Sequence, residues 1–277
     1  MLDRRIVRKL LRSAFKEDIG FGDITTTAVL TGEETGAAGA LAKSEIVVAG
    51  IDVFREAFFY IDRQIQFTGG SVDGQSAVKG AILAGVSGSL RSILIAERVA
   101  LNFFQRMCGI ATLTRQYVDQ VRETHAKILD TRKTVPGLRY LDKYSVRIGG
   151  GANHRFGLCD GVLIKDNHIA AAGGISRALA RVHGRIPHTL KVEIEVKNLH
   201  ELEEALSAGA DVIMLDNMTI EEMHKAVSLV DGRIPLEASG NVTLTNVKQI
   251  AETGVDFISV GRLTHSAPAA DISLIIK

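Results

Sequence analysis

The sequence predicts an α/β protein in two parts: an N-terminal α+β sandwich domain, then a TIM-like, partial α/β barrel. Three observations point there. From Ala126 onward, β-branched apolar runs that end in polar residues alternate with helical patterns, as parallel strands buried on both faces do. Acidic residues stand at evenly spaced strand ends, Glu195, Asp216 and Glu237, each interval long enough for one strand and one crossover helix. The chain before Gln105 lacks this rhythm and carries short apolar runs broken by glycines.

Taken in order, the opening MLDRRIVRKLLRSAFKEDIG reads as an amphipathic helix with Ile6, Leu10 and Phe15 near one face. GALAKSEIVVAGIDVFREAFFYI gives a strand, a glycine turn and a helix, and IQFTGGSVDGQSAVKGAILAGVSGSL gives strands and hairpins. SILIAERVALNFFQRMCGIATLTRQYVDQVRET is strongly helical, with a break expected at Gly109. The first domain is therefore residues 1–105 and the barrel residues 106–277, with the last few residues packing back on the N-terminal domain. Barrel strands are AKILDT, DGVLIKD, TLKVEIEV, ADVIMLD, RIPLEAS and VDFISVG, and NLHELEEALSAG, TIEEMHKAVSLV and TLTNVKQIAETG are helices between the later ones. An open doubly wound sheet is the alternative that periodicity alone leaves standing.

Composition narrows the function. The 277 residues carry a net charge of +1, which argues against a general nucleic-acid binder. No apolar run approaches the roughly 20 residues of a membrane helix, and the start lacks a secretory pattern, so the expected location is the cytoplasm. The two cysteines, Cys108 and Cys159, form no CxxC pair, and neither a disulfide framework nor a structural zinc site has support. Between Asp130 and Lys165, however, seven Lys and Arg stand against three Asp, with six glycines among them. Glycines beside positive charge are the composition of a site where backbone approaches an anion.

The polar strand ends meet on the barrel's C-terminal face, where such folds place their chemistry. They are Arg132 and Lys133, Lys165, Glu195 and Asp216, with ASGNVT and VGRLTHSA closing the last two strands. The cations can form a structural ion-pair network, but as a set clustered with glycines they favour an anion site. Arginine suits carboxylates because its planar fork matches two oxygens. His154 alone would be a structural histidine, and its place in the basic segment raises its interest. Glu195 and Asp216 can hold a metal, bind ribose hydroxyls or neutralise lysines. With no HExxH present, the metal expected is Mg²⁺ arriving with a phosphorylated ligand. The glycine loops of the last two strands are the usual phosphate site of such barrels. Neither a P-loop nor a dinucleotide fingerprint is present, since GGGANHRFG follows no strand that feeds a helix suitably.

These motifs carry a resemblance. DTRKTVPGLRYLDKYSVRIGGGANHRFGLCDGVLIKDNHI closely resembles the central signature of the quinolinate phosphoribosyltransferases, also called nicotinate-nucleotide pyrophosphorylases (carboxylating). KEDIGFGDITT, ERVALNFFQRMCGIAT, LKVEIEV, MLDN, LEASGNV and TGVDFISVGRLTHSAPAADISL resemble that family in order and spacing, almost end to end. The resemblance implies transfer of phosphoribosyl from phosphoribosyl pyrophosphate to quinolinate with Mg²⁺. Nicotinate mononucleotide, pyrophosphate and carbon dioxide result, in NAD synthesis. It also implies that Thr131, Arg132, His154, Arg155 and Lys165 bind quinolinate and that Lys133 faces pyrophosphate. Glu195 and Asp216 would lie near the ribose hydroxyls and Mg²⁺, and Lys133, Lys165, Glu195 and Asp216 would form the catalytic set. Ser239, Gly240, Asn241, Gly261 and His265 would hold the 5′-phosphate. Arg98 would reach a neighbouring subunit's site, so that a homodimer or higher homo-oligomer shares its active sites. On this reading the glycines before His154 let backbone, His154 and Arg155 crowd a doubly charged acid. Asn241 and Arg262 depart from the commonest family pattern, Arg262 being either an extra phosphate contact or an exposed charge. Two rivals remain open: the same fold acting on nicotinate or another mono-acid, and a non-catalytic phosphate-binding barrel.

Overall fold

The computed structural model describes residues 2–276. Its chain contacts separate two units. The first runs to Arg115 and takes in Thr134–Gly150 and the segment from Ser266; the second comprises Gln116–Lys133 and Gly151–His265.

The first unit begins with α1 (Arg4–Ile19), capped where the Asp3 carboxylate accepts the Arg5 N–H. Its buried stripe is Val7, Leu11 and Phe15, whereas Ile6 is 40% exposed. The apolar face is thus one residue round from the expected Ile6–Leu10 row, and Leu10 sits at its half-buried edge. There follow α2 (Ile24–Val29), β1 (Thr35–Ala42), β2 (Ile46–Val47), α3 (Ile51–Ile61), β3 (Gln66–Thr68), β4 (Ser76–Ala77), β5 (Ile82–Ser89) and α4 (Leu90–Val121). β1, β5 and β3 form an antiparallel sheet, and β2 pairs with β4. The buried core gathers Leu11, Phe54, Phe58, Leu83, Ile93 and Phe104.

Gly109 does not break α4, which is continuous through it. A Cβ there would lie 2.0 Å from the Pro268 carbonyl oxygen, so glycine serves a close backbone approach. Nor does the triple glycine line a ligand pocket at its start. Gly149 ends α5 (Arg139–Ile148), where a Cβ would meet the Ala111 carbonyl oxygen at 2.5 Å and Thr114 Cβ at 2.6 Å. Helix packing, not an acid, requires that glycine. The expected division near Gln105 falls inside α4, and the contact boundary lies at Arg115.

The second unit contains β6 (Lys127–Leu129), β7 (Val162–Ile164), α6 (Asp166–Ala172), α7 (Ile175–His183), β8 (Val192–Val196), α8 (Leu199–Ser207), β9 (Val212–Asp216), α9 (Ile220–Val230), β10 (Leu236–Ser239), α10 (Val247–Glu252), β11 (Phe257–Ser259) and α11 (Arg262–His265). The last strand, β12 (Ile272–Ile276), belongs to the first unit and pairs antiparallel with β1. All six strands of the second unit are parallel, in the order β6-β11-β10-β9-β8-β7. Each strand from β7 to β11 lies beside its successor, and β11 returns to β6. A doubly wound sheet would reverse direction at a switch point, and this one does not. It is a singly wound, partial barrel, its seam between β6 and β7.

Strand parity explains how acids enter apolar runs. In β8, Val192, Ile194 and Val196 are fully buried on one face, while Glu193 and Glu195 take the other. β9 repeats this with Ile213 and Leu215 against Met214 and Asp216, and β10 with Leu236 and Ala238 against Glu237 and Ser239. Register aligns Asp216 with Ser239, and Ser239 with Ser259, so the polar ends finish level. The helices that return the chain are capped by sequence: Asn198 accepts the Glu201 N–H, and Thr219 with Glu222 forms a capping box.

Candidate active site

A cavity of about 910 Å³ opens at the C-terminal ends of the parallel strands. Round its rim stand Thr131, Arg132 and Lys133 after β6, Lys165 after β7, Glu195 on β8 and Asp216 ending β9. Ser239, Gly240 and Asn241 follow at β10, Gly261 and His265 at β11, and His154 and Arg155 join from the loop before β7. All the expected barrel residues therefore meet in one place. Arg98 does not: it is exposed on α4, outside the lining set.

Local bonding positions each group. The wholly buried Asp130 carboxylate accepts the Asn153 side-chain N–H at 2.5 Å and the His154 backbone N–H at 3.0 Å, fixing the 153–154 backbone. The Lys133 N–H donates to Thr131 Oγ1 at 3.0 Å, and Thr264 Oγ1 donates to the Lys133 carbonyl at 2.8 Å. Gly261 lets that lysine approach, since a Cβ there would lie 3.2 Å from both Lys133 Cδ and His265 Cδ2. Lys165 Nζ donates to Glu195 Oε1 at 2.8 Å, joining the cationic and anionic sectors. Arg155 donates from Nη1 to the Gly161 carbonyl at 2.9 Å. Loss of water, and then the charge of Arg132, draws Arg155 below the ordinary guanidinium pKa; Glu193 opposes the shift. Two guanidinium groups forced together in this way favour an anionic ligand between them.

His154 turns both ring nitrogens to the protein. Nδ1 accepts the Arg155 backbone N–H at 2.7 Å, and Nε2 lies 2.9 Å from Glu193 Oε2 and 3.8 Å from Glu237 Oε2. Among the described residues, His154, Glu193 and Glu237 are the one group of three whose ligand atoms gather within 4.8 Å. The N–H aimed at Nδ1 requires the ring proton on Nε2, which occupies the lone pair a metal would need. Burial, and then the Glu193 carboxylate, push Glu237 well above the ordinary carboxylate range. A buried acid that favours its neutral form is a poor ligand for a cation, so this trio does not make a cation cage. Glu195 and Asp216 fit a hard divalent ion better. Each has one oxygen held, by Lys165 and by the Asn217 amide, and a second oxygen to offer.

Asn217, Val242, Thr243 and Ser259 also line the cavity without having been expected in the site, and Arg262 joins them. Arg262 and Asn217 were visible as polar residues after strand ends; the others carry no sequence signal of their own.

The chain's C-terminal part, residues 110–275, matches the family model described as quinolinate phosphoribosyl transferase, C-terminal domain; residues 23–108 match the N-terminal domain model. Quinolinate phosphoribosyltransferase (decarboxylating) 1b of Nicotiana tabacum is 44% identical over 97% of this chain and 81% of that protein. The crystal structure of NadC from Streptococcus pyogenes superposes with a TM-score of 0.96 at 39% identity, covering 100% of this chain and 98% of that one. The nicotinate-nucleotide pyrophosphorylase of Francisella tularensis gives 0.94 at 41% identity, with 100% and 98% covered. Sequence likeness across both domains and a shared course of the backbone lead to one conclusion: the chain belongs to the quinolinate phosphoribosyl transferase family.

Proposed function

We propose that the protein transfers the phosphoribosyl group of phosphoribosyl pyrophosphate to quinolinate with decarboxylation. The products are nicotinate mononucleotide, pyrophosphate and carbon dioxide, in NAD synthesis. The observation that carries this reading is the division of one cavity into sectors. Cations stand on β6 and β7, carboxylates on β8 and β9, and glycine-containing loops on β10 and β11. A pyridine dicarboxylate matches the first sector, a ribose whose ring becomes cationic the second, and a phosphate the third.

Arg132, Arg155 and Lys165 clamp the two carboxylates, and the dianion relieves the repulsion between the guanidinium groups. His154 stands behind Arg155, its ring fixing that residue's backbone, with Thr131 at the same edge. As the bond from ribose C1 to pyrophosphate lengthens, Glu195 and Asp216 stabilise the positive charge that develops on the ring. The pyridine nitrogen then bonds to C1, and pyrophosphate leaves with the electron pair, toward Lys133. The nitrogen, now cationic, stabilises the electron pair left on the ring when the adjacent carboxylate departs as carbon dioxide, and that carbon then takes up a proton from water. Bound with pyrophosphate, Mg²⁺ supplies further neutralisation of the leaving group; Glu195 and Asp216 are the residues that would hold it. Ser239, Gly240, Asn241, Gly261 and His265 hold the 5′-phosphate, with Arg262 as an added cation. Arg98 completes the site of a second copy in a homodimer or larger homo-oligomer. The expected setting is the cytoplasm; no helix among the described residues is long and apolar enough to cross a membrane.

The test offers quinolinate or nicotinate separately with phosphoribosyl pyrophosphate and Mg²⁺. Nicotinate mononucleotide and carbon dioxide are expected from quinolinate alone. Product from nicotinate would favour the mono-acid reading, and no product from either would leave a binding barrel.

A further inference from the structure

Asn217 takes no part in the chemistry above, yet it is tightly constrained at the cavity rim. It follows β9 with φ 56°, a left-handed conformation that L-residues other than glycine seldom adopt. Its backbone N–H donates to the Ser239 carbonyl at 2.9 Å across the strand ends. Both ends of its amide are also used. Nδ2 donates to Asp216 Oδ1 at 3.0 Å, and Oδ1 accepts Nδ2 of Asn241 at 3.0 Å. Asn241 is itself left-handed, with φ 50°, and its carbonyl accepts Nδ2 of Asn246 at 3.1 Å. Between the two asparagines, Gly240 has φ 96°, and a Cβ there would lie 2.1 Å from Asn217 Oδ1. Three conformational demands are therefore met so that one amide can bridge the loop after β9 and the loop after β10. Strained backbone held by surrounding bonds is characteristic of functional sites.

We infer that Asn217 is a positioning residue that sets the distance and angle between the Asp216 carboxylate and the Ser239–Asn241 phosphate loop. It thereby fits the two to opposite ends of one phosphoribosyl group. This rests on the function proposed above, because it takes Asp216 to face the ribose and the β10 loop to face the 5′-phosphate. Its chemistry follows from the amide: one donor turns Asp216 so that its second oxygen faces the cavity, and one acceptor holds Asn241. The quinolinate clamp lies on β6 and β7, remote in the strand order, and should not sense the bridge.

Asn217→Gly is the informative variant, since glycine accepts the left-handed backbone and removes only the amide. Binding of phosphoribosyl pyrophosphate with Mg²⁺, measured by calorimetry without any acid present, should weaken about tenfold, as loss of two modest hydrogen bonds implies. The KM for phosphoribosyl pyrophosphate should rise to match, while the KM for quinolinate at saturating co-substrate stays within about twofold. Asn217→Asp, which sets a carboxylate against Asp216, should show the same split. Unchanged phosphoribosyl pyrophosphate binding in Asn217→Gly would overturn the inference, and so would equal rises in both KM values with a lowered Tm. Quinolinate turnover by the unmodified protein tests the proposed function separately. If it fails while phosphoribosyl pyrophosphate still binds, the ratio of Kd values between protein and variant decides the role of Asn217.

Discussion

Arg132 and Glu237 show how unlike two charged residues of one cavity can be. Arg132 is a strand-end cation whose value lies in what it grips. Replacing it with alanine removes a charge-assisted bond worth roughly 1.5–3 kcal/mol. The expected result is a fall in kcat/KM for quinolinate of about tenfold or more, with Tm preserved. An unchanged kcat/KM would remove Arg132 from the clamp. Glu237, 2% exposed, matters for the proton it keeps. Its raised pKa means that the folded state holds a proton which the unfolded chain releases above the ordinary carboxylate range. Folding stability contributed by this group is therefore present at low pH and is lost as pH rises toward the raised value. Glu237→Gln, the neutral isostere, should flatten the decline of Tm with rising pH; parallel Tm curves for the two proteins would contradict a protonated Glu237. The positions of Arg132, Lys133, Lys165, Glu195 and Asp216 were legible in the sequence because strand ends of a parallel sheet are where such side chains gather. The state of Glu237 was not. It depends on burial, and then on Glu193 lying on the same inner face two strands away, relations that spacing along the chain does not express.

At the scale of elements, a glycine inside a helix pattern has two opposite meanings. Gly109 looks like a stop, and helix propensity would favour alanine there by about 1 kcal/mol. The Pro268 carbonyl oxygen, 2.0 Å from where a Cβ would stand, reverses that preference, because backbone cannot yield as a flexible side chain does. Gly109→Ala should lower Tm even though it raises intrinsic helicity, and a higher Tm would show that the two segments can part at no cost. The helical segments on either side of Gly109 were readable from their apolar spacing, but not their continuity through it. Nor were their neighbours in space. The same holds for α1, whose length was evident and whose buried stripe keeps the expected Phe15 but takes Val7 and Leu11 where the sequence favoured Ile6 and Leu10. Rows that differ by a single step have similar apolar content, and only the packing partner chooses between them.

For the whole molecule, the cavity gathers every expected barrel residue, whereas Arg98 stands on α4 in the other unit. If Arg98 serves the site of a second copy, Arg98→Ala and Lys165→Ala proteins should each be inactive alone. Mixed and allowed to exchange subunits, they should regain activity, because some sites then receive an intact Arg98 and an intact Lys165 together. Mixed oligomers that form and remain inactive would refute a shared site. Regain of about a quarter of the unmodified rate is the order of magnitude for random exchange in a dimer, where subunit combination limits the intact sites.

The sequence by itself determined the fold class and the cast of the site. Alternation along each strand divides apolar from polar faces, and the repeated spacing of strand and helix leaves a parallel sheet as the arrangement that buries both sides. Tertiary structure alone decided what the glycines were for, which way His154 faces, and that Glu193 and the buried Glu237 gather at its ring. Those outcomes depend on distances between residues far apart in the chain. Sequence periodicity records which face a residue takes, but not what stands opposite it.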